Sequence, residues 1–255
     1  MKITHVLTAV NDSIKYKKFI PIFIETWNKI YPSIQVVIIF VGDSLPEEYK
    51  EYHSNLILYK NISEIHSAYV AQTIRILYPS LIKTDGGVLI SDIDMIPGRS
   101  EYFTLNISNI DNDKFITYRG GTNEQIYMCY NIATPATWSQ IFNIHNLLDV
   151  DYFLQTNYNK KYSGIHGGEG WSTDQVLLYQ NVHQWCDFKL RFVCLNDRQT
   201  GFSRLDWFHH HYDTKKFLLM FFNYSIADCH LYADMCSWSP EITNLLSKHI
   251  KDVKL

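Results

Sequence analysis

The sequence predicts a single α/β domain built on a mostly parallel central sheet with helices on its faces, and three observations predict it. Strand-like and helix-like patterns alternate through the first half of the chain, which calls for parallel strands joined by crossover helices. The 255 residues are long enough to bury one substantial core, and 46% hydrophobic with 19% charged residues is the composition of a folded chain without a low-complexity linker. Residues 86–97 (GGVLISDIDMIP) read as an interior strand that runs straight into two carboxylates, Asp92 and Asp94.

Along the chain, residues 2–10 read as the first strand, and residues 13–30 as a helix closed by Tyr31-Pro32-Ser33. Residues 34–41 (IQVVIIFV) are apolar except for Gln35 and make a second strand, ended by Gly42-Asp43-Ser44. A short helix near residues 47–52 and a strand at 56–59 follow. Residues 63–82 carry Ile65, Ala68, Tyr69, Ala71, Ile74, Leu77, Tyr78 and Leu81 at helical spacing, with Ser63 as N-cap and Arg75 in the C-terminal half. The second half is less regular. Residues 114–118 and 126–130 are strand-like, and the latter lead through Asn131 into a helix that Thr134 caps with Pro135 at its first position. Ser172-Thr173-Asp174-Gln175 opens a further helix over residues 176–182.

In open sheets of this class ligands bind outside the carboxyl ends of the strands. That rule selects residues 8–11 (Thr8, Ala9, Val10, Asn11), Asp43, and Asp92 with Asp94 as walls of one pocket. Strand alternation places Asp92 and Asp94 on one face and Ile93 on the other. Two hard oxygen ligands so placed suit a divalent cation, which in turn can carry a diphosphate. An Asp-x-Asp alone also fits a solvated turn. Residues 8–11 fit an ordinary strand-to-helix turn with Asn11 or Asp12 as N-cap equally well, and Asp43 has the same ambiguity.

The unit formed by a helix carrying Arg75, the Gly86-Gly87 turn, a strand and Asp92-Ile93-Asp94 resembles the nucleotide-sugar-dependent glycosyltransferases of the GT-A fold, a Rossmann-like architecture. The resemblance is close over about thirty residues and elsewhere extends to the order of elements. It implies that Arg75 faces the donor, that Asp92 touches the ribose beside the ion, and that Asp94 binds a manganese (Mn2+) or magnesium (Mg2+) ion held by the donor diphosphate. It places the nucleotide base and ribose against Thr8, Ala9, Val10 and Asn11. On this reading residues 1–100 form the nucleotide-sugar half of one domain and residues 101–255 the acceptor half, with a C-terminal helix. The segment around Asn131 is similar to the part that lies under the transferred sugar, although an Asn turning a strand into a helix needs no ligand to explain it.

Residues 163–175 (SGIHGGEGWSTDQ) form a second chemical cluster. Glycines at this density permit positive φ angles and close backbone approach to a ligand. Trp171 beside them offers a flat apolar face on which a sugar ring can stack. Asp174 at a helix start has the ordinary explanation of a cap or a favourable helix-dipole charge. The resemblance makes it the catalytic base of an inverting enzyme, or the residue that holds the sugar in some retaining families, with Glu169 in reserve. The carboxylate at that position tilts the expectation toward inversion.

Adjacent histidines at 209–211 cannot all face one ion on regular backbone, and zinc ligands are usually spaced more widely. His230, in Asp228-Cys229-His230-Leu231, sits between apolar neighbours in a strand-like setting. The resemblance makes it the third protein ligand of the ion, with His211 as the alternative; a satisfied core histidine explains it as well. Arg204 meets either the diphosphate or Asp206.

Other classes are disfavoured. A net charge of −3 gives no basic face for nucleic acid. Five scattered cysteines without a Cys-x-x-Cys pair argue against a disulfide framework or a thiolate zinc site, and suit a reducing, cytoplasmic setting. The start of the chain reads as a strand rather than a signal peptide. No segment approaches the ~20 apolar residues of a spanning helix. Residues 217–222 (FLLMFF) fit a core segment, with a surface contact to a lipid-linked acceptor as the other reading. The resemblance implies metal-dependent transfer of a sugar from a nucleoside diphosphate donor, a UDP-sugar first, to a hydroxyl of a glycan or glycoconjugate. A metal-dependent phosphohydrolase and a carbohydrate-binding protein derived from a transferase are the rivals.

Overall fold

The computed structural model describes residues 1–206 and 226–230. Strands β1 (Ile3–Asn11) and β2 (Gln35–Val41) are almost wholly buried and are covered on both faces, as strands in a parallel sheet must be. With β3 (Leu56–Tyr59) and β4 (Gly87–Ile90) they form the parallel half of the sheet, β1 lying between β2 and β4 and β2 pairing on its far side with β3. After a turn the chain leaves this sheet through β5 (Met95–Pro97) and returns as β6 (Phe115–Thr117) and β7 (Asn131–Ala133). β7 runs antiparallel to both β4 and β6, and β8 (Phe192–Cys194) runs parallel to β6. The seven strands stand in the order β3-β2-β1-β4-β7-β6-β8. A smaller sheet is made by β5, β9 (Ser203–Asp206) and β10 (Ile226–His230), with β10 in the middle, antiparallel to β5 and parallel to β9.

Alternate residues of each central strand feed two apolar layers. Val6 and Val10 join Phe23 and Trp27 of α2 (Ile20–Ile30) and Phe103 of the short α4 (Ser100–Thr104). Leu7 and Ala9 join Val70, Ile74 and Leu77 of α3 (Ser67–Leu77). On that second face also pack α5 (Pro135–Phe142), α6 (Leu147–Asn157) and α7 (Thr173–Gln184), through Trp138, Val150 and Leu178. Each such aliphatic side chain taken fully out of water contributes about 1.5–3 kcal/mol. Trp138 Nε1 also donates to the Val88 carbonyl at 3.2 Å, which ties α5 to the strand before the aspartates. Gly87 is small for a packing reason: a Cβ there would lie 2.5 Å from Ile132 Cδ1 on β7. Two short helices, α8 (Phe188–Arg191) and α9 (Asp197–Thr200), flank β8.

Several elements differ from the sequence expectation. The first helix is two pieces, α1 (Ile14–Lys17) and α2, because Ile14 is exposed at the surface while Ile20 turns into the core. The residue 63–82 helix begins at Ser67 and not after Ser63: a turn closes from Ile65 N–H to the Ile62 carbonyl, Glu64 takes a positive φ of 66°, and His66 caps the helix by accepting from Ala68 N–H. Its end, Tyr78–Leu81, tightens to a 3₁₀ turn at Pro79, and the short helix after β2 is likewise 3₁₀, Glu47–Asn55. Residues 126–130 are not a strand. The Asn131 amide folds back to donate to the Tyr127 and Met128 carbonyls, which fits a turn, and the strand is β7 instead. The Thr134 cap and Pro135 at the first turn of α5 stand as expected. The runs at 209–211 and 217–222 and the expected C-terminal helix lie outside the described residues.

Candidate functional site

A cavity of about 630 Å³ opens at the carboxyl ends of β1 and β4, where the rule for open sheets places it. Ala9, Val10 and Asn11 form one wall, and Asp92, Ile93 and Asp94 another. Thr8 does not line it. It is fully buried within β1, on the strand face that carries Val6. Asn11 faces the cavity, with its Oδ1 accepting from Ser13 N–H in the turn and its Nδ2 donating to Ser67 Oγ, but neither it nor Asp12 caps a helix, because the N-cap of α1 is Ser13. Asp43 is exposed, accepts from Asn61 Nδ2 at 3.1 Å and lies outside the cavity lining.

Helix α3 supplies a further wall. Ala68, Ala71, Gln72 and Arg75 follow at i, i+3, i+4 and i+7, so one stripe of the helix faces the cavity. The two alanines leave room and the two long polar side chains fill it. Arg75 donates through Nη1 to Asp92 Oδ1, through Nη2 to Asp174 Oδ2 at 2.6 Å, and through Nε to the Gln72 carbonyl at 3.2 Å. Gln72 Oε1 is held in turn by the Tyr162 hydroxyl at 2.6 Å.

Asp174 stands in the first turn of α7 and is 2% exposed. Its Oδ1 accepts from Gln175 N–H at 2.9 Å while Oδ2 takes the Arg75 bond. Burial pushes its carboxyl above the ordinary carboxylate range, and the Arg75 charge offsets this only in part. For Arg75 the balance is reversed: burial disfavours the guanidinium charge, but Asp92 and Asp174 more than compensate and raise its proton affinity.

Asp92 and Asp94 lie in the turn between β4 and β5, not on a strand, closed by Met95 N–H to the Asp92 carbonyl. Strand alternation therefore does not align them. Asp92 turns toward Arg75, whereas Asp94 turns toward His230, whose Nε2 lies 3.5 Å from Asp94 Oδ2. His230 arrives from the end of β10, opposite Met95 in the antiparallel ladder. Burial lowers its pKa, and the Asp94 carboxylate outweighs that and leaves it raised. A carboxylate oxygen and an imidazole nitrogen that meet on one cavity wall are a donor set suited to a divalent first-row ion. Asp92 lines the same cavity with its Oδ1 bonded to the Arg75 guanidinium. Among the described residues no group of three His, Cys, Asp or Glu forms a metal cluster, and of the three expected ligands Asp94 and His230 are the two that pair. His211 lies outside the described residues.

The glycine-rich segment closes the far side through Gly164, Ile165, His166 and Trp171. Gly164 takes a φ of +67°, and a Cβ on it would lie 2.6 Å from the His66 ring. The His166 and Trp171 rings meet edge to face at 5.1 Å. Glu169 is exposed and does not line the cavity. Asn131 is fully buried within β7 and Arg204 reaches Asp228, 3.6 Å from Nε to Oδ2, and neither lines the cavity. Sequence reasoning missed Lys15 and Tyr16 of α1, His66, and Gln72, all on the lining. Only the α3 stripe carried a signal, in the small and polar residues at helical spacing.

This arrangement can be compared with known proteins. No protein-family model matches the chain, and no curated protein matches it in sequence. Solved structures do match in shape. An active-site mutant of LgtC superposes with a TM-score of 0.53 and 12% identity over 98% of both chains. The glycosyltransferase GlyE of Streptococcus pneumoniae TIGR4 superposes with a TM-score of 0.53 and 15% identity over 98% of this chain and 64% of GlyE. The chain has a GT-A fold.

Proposed function

We propose that this GT-A chain is a metal-dependent glycosyltransferase that moves a sugar from a nucleoside diphosphate sugar, a UDP-sugar first, to a hydroxyl of a glycan or glycoconjugate. One observation carries the reading: Arg75 joins Asp92 and Asp174 at a cavity that also presents the pair Asp94 and His230. The cavity volume is in the range of small-molecule sites.

On this reading Asp94 and His230 hold a manganese or magnesium ion, which when bound neutralises the leaving diphosphate. Ala9, Val10 and Asn11 receive the nucleoside, and Asp92 orients the ribose while Arg75 fixes the Asp92 carboxylate. Trp171 gives the acceptor or transferred sugar an apolar face to stack on, and the glycine-rich segment closes over it. Asp174 takes the proton of the acceptor hydroxyl as the new bond forms, and its burial favours that role because a carboxyl with raised proton affinity is the better base. A second reading is favoured by the Arg75 and Gln175 bonds to both Asp174 oxygens, which would let it orient the sugar in a retaining reaction.

Incubation with UDP-, GDP- and dTDP-sugars, with and without manganese, tests the proposal. Slow manganese-dependent release of nucleoside diphosphate is the expected result. Turnover of phosphomonoesters would replace it with the hydrolase reading, and binding without release with the carbohydrate-binding reading. Proton NMR of the product anomer separates inversion from retention.

A further inference from the structure

Behind His230 lies a buried charge cluster that touches no part of the cavity. Asp228 is wholly buried. Arg119, just past β6, grips it with two parallel bonds, Nη1 to Oδ2 at 2.9 Å and Nη2 to Oδ1 at 2.6 Å. The Tyr130 hydroxyl donates to Oδ2 at 3.2 Å, and Arg119 Nε reaches Asp197 Oδ1 at 3.2 Å.

A buried ion pair is an expensive way to stabilise a strand, since apolar residues of similar volume usually do as well or better. What it adds here is direction, because a bidentate guanidinium–carboxylate pair fixes the orientation of both partners. On the side of β10 that faces the Asp94 turn the ladder is short: it reaches β5 only from Asp228 to His230, with Asp228 opposite Pro97, which has no N–H to give, while β9 pairs with β10 on the other side. Asp228 and His230 stand two apart on one strand and so share a face, with the clamp on the first and the cavity at the second.

We propose that Arg119 and Asp228 are positioning residues that hold β10 in the register and rotation at which His230 meets Asp94, and so set the affinity of that pair for a divalent cation. This rests on the transferase reading above, in which the pair holds the ion.

The test uses the full chain, Arg119→Lys and Asp228→Asn, with near-ultraviolet circular dichroism to establish that each variant is folded. Calorimetry then measures UDP binding with and without manganese. The manganese-dependent gain in affinity should fall at least tenfold in both variants, while metal-free UDP affinity stays within twofold. A purely structural role would lower the melting temperature and leave the gain intact, and that result in a folded variant overturns the inference alone. Should Asp228→Asn fail to fold, Arg119→Lys, which keeps the charge and loses only the fork, decides the matter. A wild-type protein whose UDP affinity ignores manganese overturns the transferase reading and this inference together.

Discussion

Arg75 and Asp174, 99 residues apart in sequence, are joined by a 2.6 Å bond between groups that are both nearly sealed from water. The same guanidinium also holds Asp92, so one side chain on α3 sets the distance between the turn after β4 and the start of α7. Neither carboxylate can move without leaving a buried or half-buried charge uncompensated.

Arg75→Met should therefore be costly. Removing one member of a buried pair typically destabilises by about 3–5 kcal/mol, because the other charge stays behind unpaired. Urea denaturation should show a loss of that order, and Arg75→Lys, which keeps a charge but not the fork, a smaller one. A variant as stable as the wild type would mean that the bond to Asp174 carries no structural weight.

Asp94→Ala should abolish the gain in UDP affinity that manganese confers and leave the fold intact, because the side chain stands on a turn at the cavity wall. Calorimetry with and without manganese measures this, and chelation of the wild type should reproduce it. Persistence of the gain in the folded variant would remove Asp94 as a ligand.

Asp174→Asn keeps the shape of the side chain but cannot accept a proton. Transfer should fall by about 10²–10⁴, the range for a lost general base. UDP affinity should change by less than about tenfold, or ~1.4 kcal/mol. In the wild type the base works only when ionised, so kcat rises with pH through the Asp174 pKa. Because burial raises that pKa, the acid limb of the profile should lie above the ordinary carboxylate range. The limb should vanish from the residual activity of Asp174→Asn. An unchanged profile would point to the sugar-orienting role.

Thr134→Ala tests the architecture away from the chemistry. The hydroxyl caps α5 by accepting from Thr137 N–H, and its loss should cost about 0.5–2 kcal/mol. Thermal melts should register the shift, while UDP affinity is unaltered because Thr134 is not part of the cavity lining.

Much of this molecule was legible from the chain. The parallel half of the sheet was readable because β2 and β4 are continuous apolar runs, and burial on both faces leaves few other structures open to them. Asp92, Asp94, Arg75, Asp174 and His230 were named from short patterns, and all five line one cavity. What escaped was mostly tertiary. Nothing local tells Asp92 to turn toward Arg75 and Asp94 toward His230, since that choice depends on where α3 and β10 come to rest. The start of α3 was misplaced because Ser63 looks like a cap, while the actual cap, His66, is a residue type with little preference for that position. Arg119 and Asp228 gave no signal at all, being single charges in unremarkable sequence whose meaning is only their meeting.

The insertion of β10 between β5 and β9 has a consequence for how the protein is made. A ribosome extends the chain from its amino terminus at ~5–20 residues per second, and domains begin to organise as they emerge. Asp94 is therefore delivered on the order of ten seconds before His230. All seven strands of the larger sheet, together with α3 and α7, have left the ribosome by then. Through that interval the nascent chain carries Arg75, Asp92 and Asp174 but only one half of the Asp94 and His230 pair, which is complete once β10 stands between β5 and β9.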